Sequence, residues 1–270
     1  MSVVSMMDRL RARVAEQRRQ EAELEALGPG AVEAARRERA KREAERIAAD
    51  RAAHEAEQEA GLVAHLERCG MGSLDAQRVA GGLSDAWGWV DVPGRDGSPQ
   101  KRVQALAAVR DWWRGSAPLL FLFGAPGTGK TLAAGWLLSQ LRLEYHHPDW
   151  GPTWCWPSTV SETGIFALAR ELASSPLYGS DADRLRERLT RCRLLVLDEL
   201  GTEIMTDPWQ SLCDTVVVRR HAAGLRTVLL SNVSGKDFTA RYGSRISRRI
   251  REDGRAVSLG SETLSGRGRP

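Results

Sequence analysis

Residues 119–131 read LLFLFGAPGTGKT, an apolar run that stops abruptly at glycines, a lysine and a threonine. The continuous hydrophobicity of Leu119–Phe123 fits a strand covered on both faces. After it, Gly124-Ala125-Pro126-Gly127-Thr128-Gly129-Lys130-Thr131 matches G-x-x-x-x-G-K-[ST], and a helix is predicted over Lys130–Leu141. Glycines let the backbone curl until several N–H groups converge on one anion, and the helix adds the positive end of its dipole. In such a loop Lys130 reaches the β- and γ-phosphates of a nucleotide, and the Thr131 hydroxyl ligates Mg²⁺. Gly124 to Thr131 are therefore the candidate nucleotide-binding residues. Lys41, Lys101, Lys130 and Lys236 are the only lysines and every other cation is arginine, so a lysine in this setting stands out.

A second apolar run, Leu194–Leu197, ends in Asp198-Glu199. Parallel strands place their carboxyl ends on one edge, which would set this pair beside the phosphate loop. Asp198 would then hold the magnesium through water, and Glu199 would orient and deprotonate the water that attacks the γ-phosphate. A third run, Thr227–Leu230, ends in Ser231-Asn232, and the amide of Asn232 is a candidate for positioning that water; a turn-forming role is the alternative. The core's densest cationic stretch lies in a predicted helix, Gly243–Arg251, where Arg245, Arg248 and Arg249 share a face. Its anion is either DNA phosphate or the γ-phosphate of a neighbouring subunit's ATP; the plainer reading is a solvated helix paired with Glu252 and Asp253.

The rest of the chain frames these motifs. From Pro118 onward short apolar runs alternate with amphipathic stretches, the pattern of βαβ units around a parallel sheet. Further strands are predicted at Thr153–Trp156 and near Ala256–Leu259, and further helices at Val160–Ser174, Ala182–Cys192 and Pro208–Ala223. Residues 1–67 form a helical arm rich in Ala, Glu and Arg, broken at Gly28-Pro29-Gly30, with an apolar stripe too thin for a core of its own. It is either a solvated arm or a helical hairpin that docks on a partner. Residues 68–115 are a linker carrying Trp87 and Trp89 and a strap helix from Gln100 to Trp113, residues 116–260 are the core, and 261–270 are a flexible tail.

Composition narrows the function classes. Across 270 residues, 39 cationic against 35 acidic side chains leave a net charge of +4, too little for a chain that coats nucleic acid along its length. Cys69, Cys155, Cys192 and Cys213 are widely spaced, which suggests neither a zinc knuckle nor a disulfide framework. No apolar run approaches the ~18–20 residues needed to cross a bilayer, and the charged N-terminus is unlike a signal peptide, so a cytoplasmic protein without membrane contact is expected.

In order, GAPGTGKT, LLVLDELG, RRHAAGLRTVLLSN and YGSRISRRI resemble the AAA+ ATPases of the DnaC/DnaI helicase-loader group and the related IstB transposition ATPases, over roughly residues 116–260. The resemblance implies an α/β P-loop NTPase fold with an AAA+-type parallel sheet flanked by helices, preceded here by the helical arm. It implies an ATPase using ATP and Mg²⁺ at a subunit interface, with Arg249 as the arginine finger supplied to a neighbour and Arg245 second. It also implies a helical or hexameric homo-oligomer that grips single-stranded DNA, with residues 1–67 binding the replicative helicase. Phe166, Arg170 and Tyr178 would fall in the family's DNA-contacting region. The alternative within the same class is an IstB-like regulator that hands target DNA to a transposase. The stretch Gly260-Ser261-Glu262-Thr263 departs from the family by lacking an aromatic-Arg pair.

Overall fold

The computed structural model describes residues 26, 28–86, 101–147, 151–156, 163–175 and 178–259. Helices α1 (Pro29–Arg68), α2 (Ser73–Ala86) and α3 (Lys101–Arg114) precede strand β1 (Leu119–Phe123) and helix α4 (Lys130–Ser139). Next come β2 (Leu143–His147), β3 (Gly151–Cys155), β4 (Gly164–Leu168), α5 (Ala169–Ser174), α6 (Ser180–Arg191) and β5 (Leu194–Leu200). The described chain ends with α7 (Asp207–Ala222), β6 (Arg226–Ser231), α8 (Gly235–Tyr242), α9 (Ser244–Glu252) and β7 (Gly254–Ser258). Two compact units divide it, Met1–Glu57 and Gln58–Pro270.

In the first unit the helix is supported by its own charges. Arg37 pairs with Glu33 at 2.6 Å, Arg42 with Glu38 at 3.0 Å and Arg46 with Glu43 at 2.7 Å, all exposed and three or four residues apart. Each such pair contributes about 0.3–0.5 kcal/mol, so the helix draws on propensity and local pairing rather than on a core. Residues 1–25 of the expected arm and the tryptophans Trp87 and Trp89 lie outside the described residues.

The second unit is built on a five-stranded sheet in the order β4-β5-β6-β1-β7, with every pairing parallel. Alternation along the strands divides the core into two layers. Leu120, Leu122, Leu194, Val196, Val228 and Leu230 point to one face, where α2, α3, α4 and the last turns of α1 supply Val79, Val109, Leu137 and Leu66. Leu119, Phe121, Leu195, Leu197 and Leu229 point to the other, against Leu189, Trp209, Val216, Phe238 and Ile250. Both faces are covered, so these strands are apolar throughout. At the crossing of α2 and α4 a Cβ on Gly135 would overlap Val79 Cγ1, so a side chain there would hold the helices apart.

Two arginines, one buried and one half-buried, secure the amino edge of the sheet. Arg220, fully buried on α7, donates to the carbonyls of Leu189, Cys192 and Arg226 at 2.7–2.8 Å and to Thr227 Oγ1 at 2.8 Å. Arg226, the first residue of β6, donates to Trp112 O at 3.2 Å and Ala117 O at 2.8 Å, and also to Gly115 O. Its guanidinium stacks 4.9 Å from the Trp112 ring centre, which ties the strap helix to the sheet.

The structure corrects three expectations. Val160–Ser174 is not one helix: Gly164–Leu168 is strand β4 at the sheet edge, and only Ala169–Ser174 is helical. The strand expected at Thr153–Trp156 is β3, which pairs antiparallel with β2 in a separate hairpin outside the main sheet. Helix α8 also precedes the arginine-rich helix, where none was expected.

Candidate nucleotide site

The phosphate loop takes the shape its residues dictate. Gly127 and Gly129 have φ of 77° and 89°, left-handed conformations that glycine adopts without steric cost. Thr128 is buried and its hydroxyl donates to Ala125 O at 2.9 Å, while Gly124 N donates to Ser231 O at 3.2 Å and ties the start of the loop to β6. Gly129 caps α4 without a side-chain hydrogen bond, so the helix presents bare N–H groups to the loop.

Lys130 is buried, and its ammonium folds back over the loop, donating to Gly124 O at 2.8 Å and Ala125 O at 2.9 Å. Burial pulls its pKa below the usual lysine range, and the Asp198 carboxylate partly restores it. Thr131 Oγ1 donates to Asp198 Oδ2 at 3.0 Å, which joins the two residues expected to serve one magnesium ion. A hydroxyl beside a carboxylate is a hard-oxygen donor set that would fit Mg²⁺. Asp198 is buried and its carboxyl is pushed up by desolvation, against hydrogen bonds from Glu199 N (2.6 Å) and Thr131 that lower it.

Glu199 is half-buried at the point where β5 slips register between Leu197 and Leu200. Its φ of 58° is the only positive value at a non-glycine residue among those described. Such a conformation costs of order 1–3 kcal/mol and, with the register slip, re-aims the side chain. The carboxylate is held by Arg170, Nε to Oε2 at 3.2 Å. Arg170 stands two residues past Leu168, which pairs with Asp198 across the β4–β5 ladder. Asn232 follows Ser231, whose Cα partners are Phe123 on β1 and Leu200 on β5, so it stands on the same carboxyl edge.

The arginine-rich helix packs through Ile246, Ser247 and Ile250 and leaves its cations outward. Arg248 pairs with Glu252 at 3.6 Å, and Arg249 donates to Arg245 O at 3.0 Å. Among the described residues no carboxylate engages Arg245 or Arg249, and neither forms a hydrogen bond or ion pair with the phosphate loop, Asp198 or Glu199 of its own chain. Of the three residues considered for DNA contact, Phe166 is a core residue of β4, only 4% exposed, and offers no accessible ring. Arg170 is turned to Glu199, and Tyr178 is 78% exposed.

One acid with no expected role sits beside the site. The Glu203 side chain is 0% exposed and accepts from Gly201 N at 2.9 Å, Trp209 Nε1 at 3.3 Å, Tyr242 Oη at 2.5 Å and Arg241 Nε at 3.3 Å. Burial by itself would push its pKa up; the hydrogen bonds from Tyr242 and Gly201 and the Arg241 charge outweigh it and hold the carboxyl below the usual glutamate range. In the polar run Gly201-Thr202-Glu203 nothing marks this acid as buried. Cys69, Cys192 and Cys213 are free thiols in the interior, and no three His, Cys, Asp or Glu side chains gather as a metal site among the described residues.

A glycine-rich loop after β1, an acidic pair near the end of β5 and a polar amide after β6, on one edge of a parallel sheet in this order, define an α/β P-loop NTPase fold. No family model matches the chain, and no curated protein does. Among solved structures it is similar to the DnaC helicase loader, 20% identical over 66% of this chain and 99% of that one, with a TM-score of 0.44. DnaI is 17% identical over 63% of this chain and 91% of that one, with a TM-score of 0.43. AMPPCP-bound DnaA from Aquifex aeolicus is 16% identical over 58% of this chain and 45% of that one, with a TM-score of 0.41. No helix among the described residues is long and apolar enough to cross a membrane.

Proposed function

We propose that the chain is an ATP-hydrolysing loader that places the replicative DNA helicase on single-stranded DNA, with each ATP site completed by the next subunit of a helical or hexameric homo-oligomer. The observation that carries the ATPase part is the 3.0 Å contact between Thr131 and Asp198, which brings the helix after the phosphate loop and the acidic strand end to one point. Main-chain N–H groups of Gly124–Thr131 wrap the phosphates, and Lys130 exchanges the carbonyls of Gly124 and Ala125 for β- and γ-phosphate oxygens. Magnesium held by Thr131 and Asp198 would neutralise charge on those oxygens. Glu199, once released by Arg170, orients the attacking water and takes its proton, while Asn232 positions that water against the γ-phosphate. Arg249 of one subunit, with Arg245 as second candidate, meets the γ-phosphate bound by its neighbour; neither has a carboxylate partner in its own chain among the described residues.

Residues 1–67 are the proposed helicase-binding arm, which rests on the motif resemblance and on the exposed charged helix of the first unit. Calorimetry with ATP and magnesium tests the site: Lys130→Ala should weaken nucleotide binding by at least about two orders of magnitude, roughly 2.7 kcal/mol at this loop. Affinity close to that of the unchanged protein would remove the assignment.

A further inference from the structure

A fully buried carboxylate is a poor way to gain stability, since desolvation offsets most of its pairing. What four directed hydrogen bonds do provide is a fixed geometry among the segments that donate them. Glu203 draws its donors from three places: Gly201 in its own loop, Trp209 in the first turn of α7, and Arg241 with Tyr242 at the end of α8. Gly201 lies two residues after Glu199, and the intervening turn is closed by Thr202, whose N and Oγ1 donate to Glu199 O at 3.2 and 2.8 Å. Tyr242 immediately precedes Gly243, the N-cap of α9, and Arg245 stands two residues beyond that glycine. Gly201 N also donates to Tyr242 Oη at 2.8 Å, so loop and helix end meet directly as well as through the acid. The helix end itself is packed on the sheet: the Phe238 ring centre lies 4.3 Å from that of Phe121 on β1 and 4.5 Å from that of Tyr242.

We propose that Glu203 is a positioning residue that locks the loop behind Glu199 to the root of α9, so that the base of a subunit's own site and the arginine it offers its neighbour keep a fixed relation. This rests on the shared-site reading above. A rearrangement at Glu199 moves Gly201, and through Glu203 it moves Arg241, Tyr242 and the start of α9. The state of one ATP site is thereby passed to the next.

Hybrid oligomers test this. Chains carrying Arg249→Ala bind ATP but lack the first finger candidate, and chains carrying Lys130→Ala keep it but bind ATP at least about a hundredfold more weakly, so at ATP near the unchanged protein's Kd the turnover gained on mixing comes from hybrid sites. Glu203→Gln is added first to the Lys130→Ala chain, then to the Arg249→Ala chain, and kcat and KM for ATP are measured in each mixture. The expected result is a fall in kcat of tenfold or more in both arms with KM within twofold of the parent mixture. Turnover within twofold of the parent in the arginine-donating arm overturns the proposal, because the acid would then serve its own site only. A parent mixture no more active than its two components apart overturns the shared-site reading and this proposal with it. Tyr242→Phe removes one donor and keeps the ring, and it is run in the same two arms so that the outcome does not depend on the folding of Glu203→Gln; there a threefold fall in both arms is expected, and no fall in the arginine-donating arm overturns the proposal.

Discussion

Glu199 combines an unfavourable backbone with a tethered side chain, and both have consequences at the scale of one residue. The Arg170 guanidinium and the carboxylate are both more than a third exposed, so their pairing is worth about 0.5–1 kcal/mol at most. Arg170→Ala should therefore raise ATP turnover without DNA by up to about fivefold, and the gain should shrink as salt screens the pair in the unchanged protein. A steady-state assay across ionic strength checks both. Glu203 behaves oppositely to an exposed acid. Its carboxyl is held below the usual glutamate range, so its stabilisation is complete above the ordinary glutamate pKa of about 4.3 and disappears as pH falls through the lowered folded value. Melting curves from pH 7 to 3 should show the unchanged protein above Glu203→Gln at neutral pH, with the two converging in acid. Lys130, Thr131, Asp198 and Glu199 were legible in the sequence because each stands in a contiguous motif. The Arg170–Glu199 pair was not, since it depends on β4 lying beside β5, and the burial of Glu203 is invisible in a polar loop.

Packing decides matters at the scale of elements. Gly135 lets α4 approach α2, and a methyl there meets the stiff β-branched Val79. Gly135→Ala should cost about 1–3 kcal/mol in overpacking, which outweighs the roughly 1 kcal/mol gained in helix propensity. Val79→Ala should relieve it, so the double variant should unfold in denaturant closer to Val79→Ala than additivity allows. The missed strand β4 has a related cause. Gly164-Ile165-Phe166-Ala167-Leu168 is a short apolar run followed directly by helix-forming residues, and periodicity over five residues cannot separate a buried strand from the start of a helix. Its neighbours decide: Phe166 N donates to Cys69 O at 2.7 Å, and its ladder with β5 does the rest. Strands β1, β5 and β6 were legible because each holds an unbroken apolar run closed by glycine or polar residues. The hairpin β2–β3 was not, because apolarity alone does not say which sheet a strand joins.

For the whole molecule, the division after Glu57 matters more than the compositional edge near residue 67. Leu62, His65 and Leu66 are buried, so a cut at 67 would remove part of the second unit's interior, whereas removing residues 1–57 should leave both its melting transition and its ATP affinity unchanged. Under the proposed function the shortened protein no longer captures the helicase in a pull-down. Retention of the helicase would assign the arm another purpose, and capture of a transposase by the full chain would favour the IstB-like alternative.

Arg220 and Arg226 fasten the amino edge with hydrogen bonds to main-chain carbonyls, whereas the phosphate loop, Asp198, Glu199 and Asn232 crowd the opposite edge. The scaffold and the chemistry thus occupy separate ends of the same strands. Replacing either arginine by methionine keeps much of the stem but strands those carbonyls without a donor, so the damage should appear in folding before it appears at the opposite end.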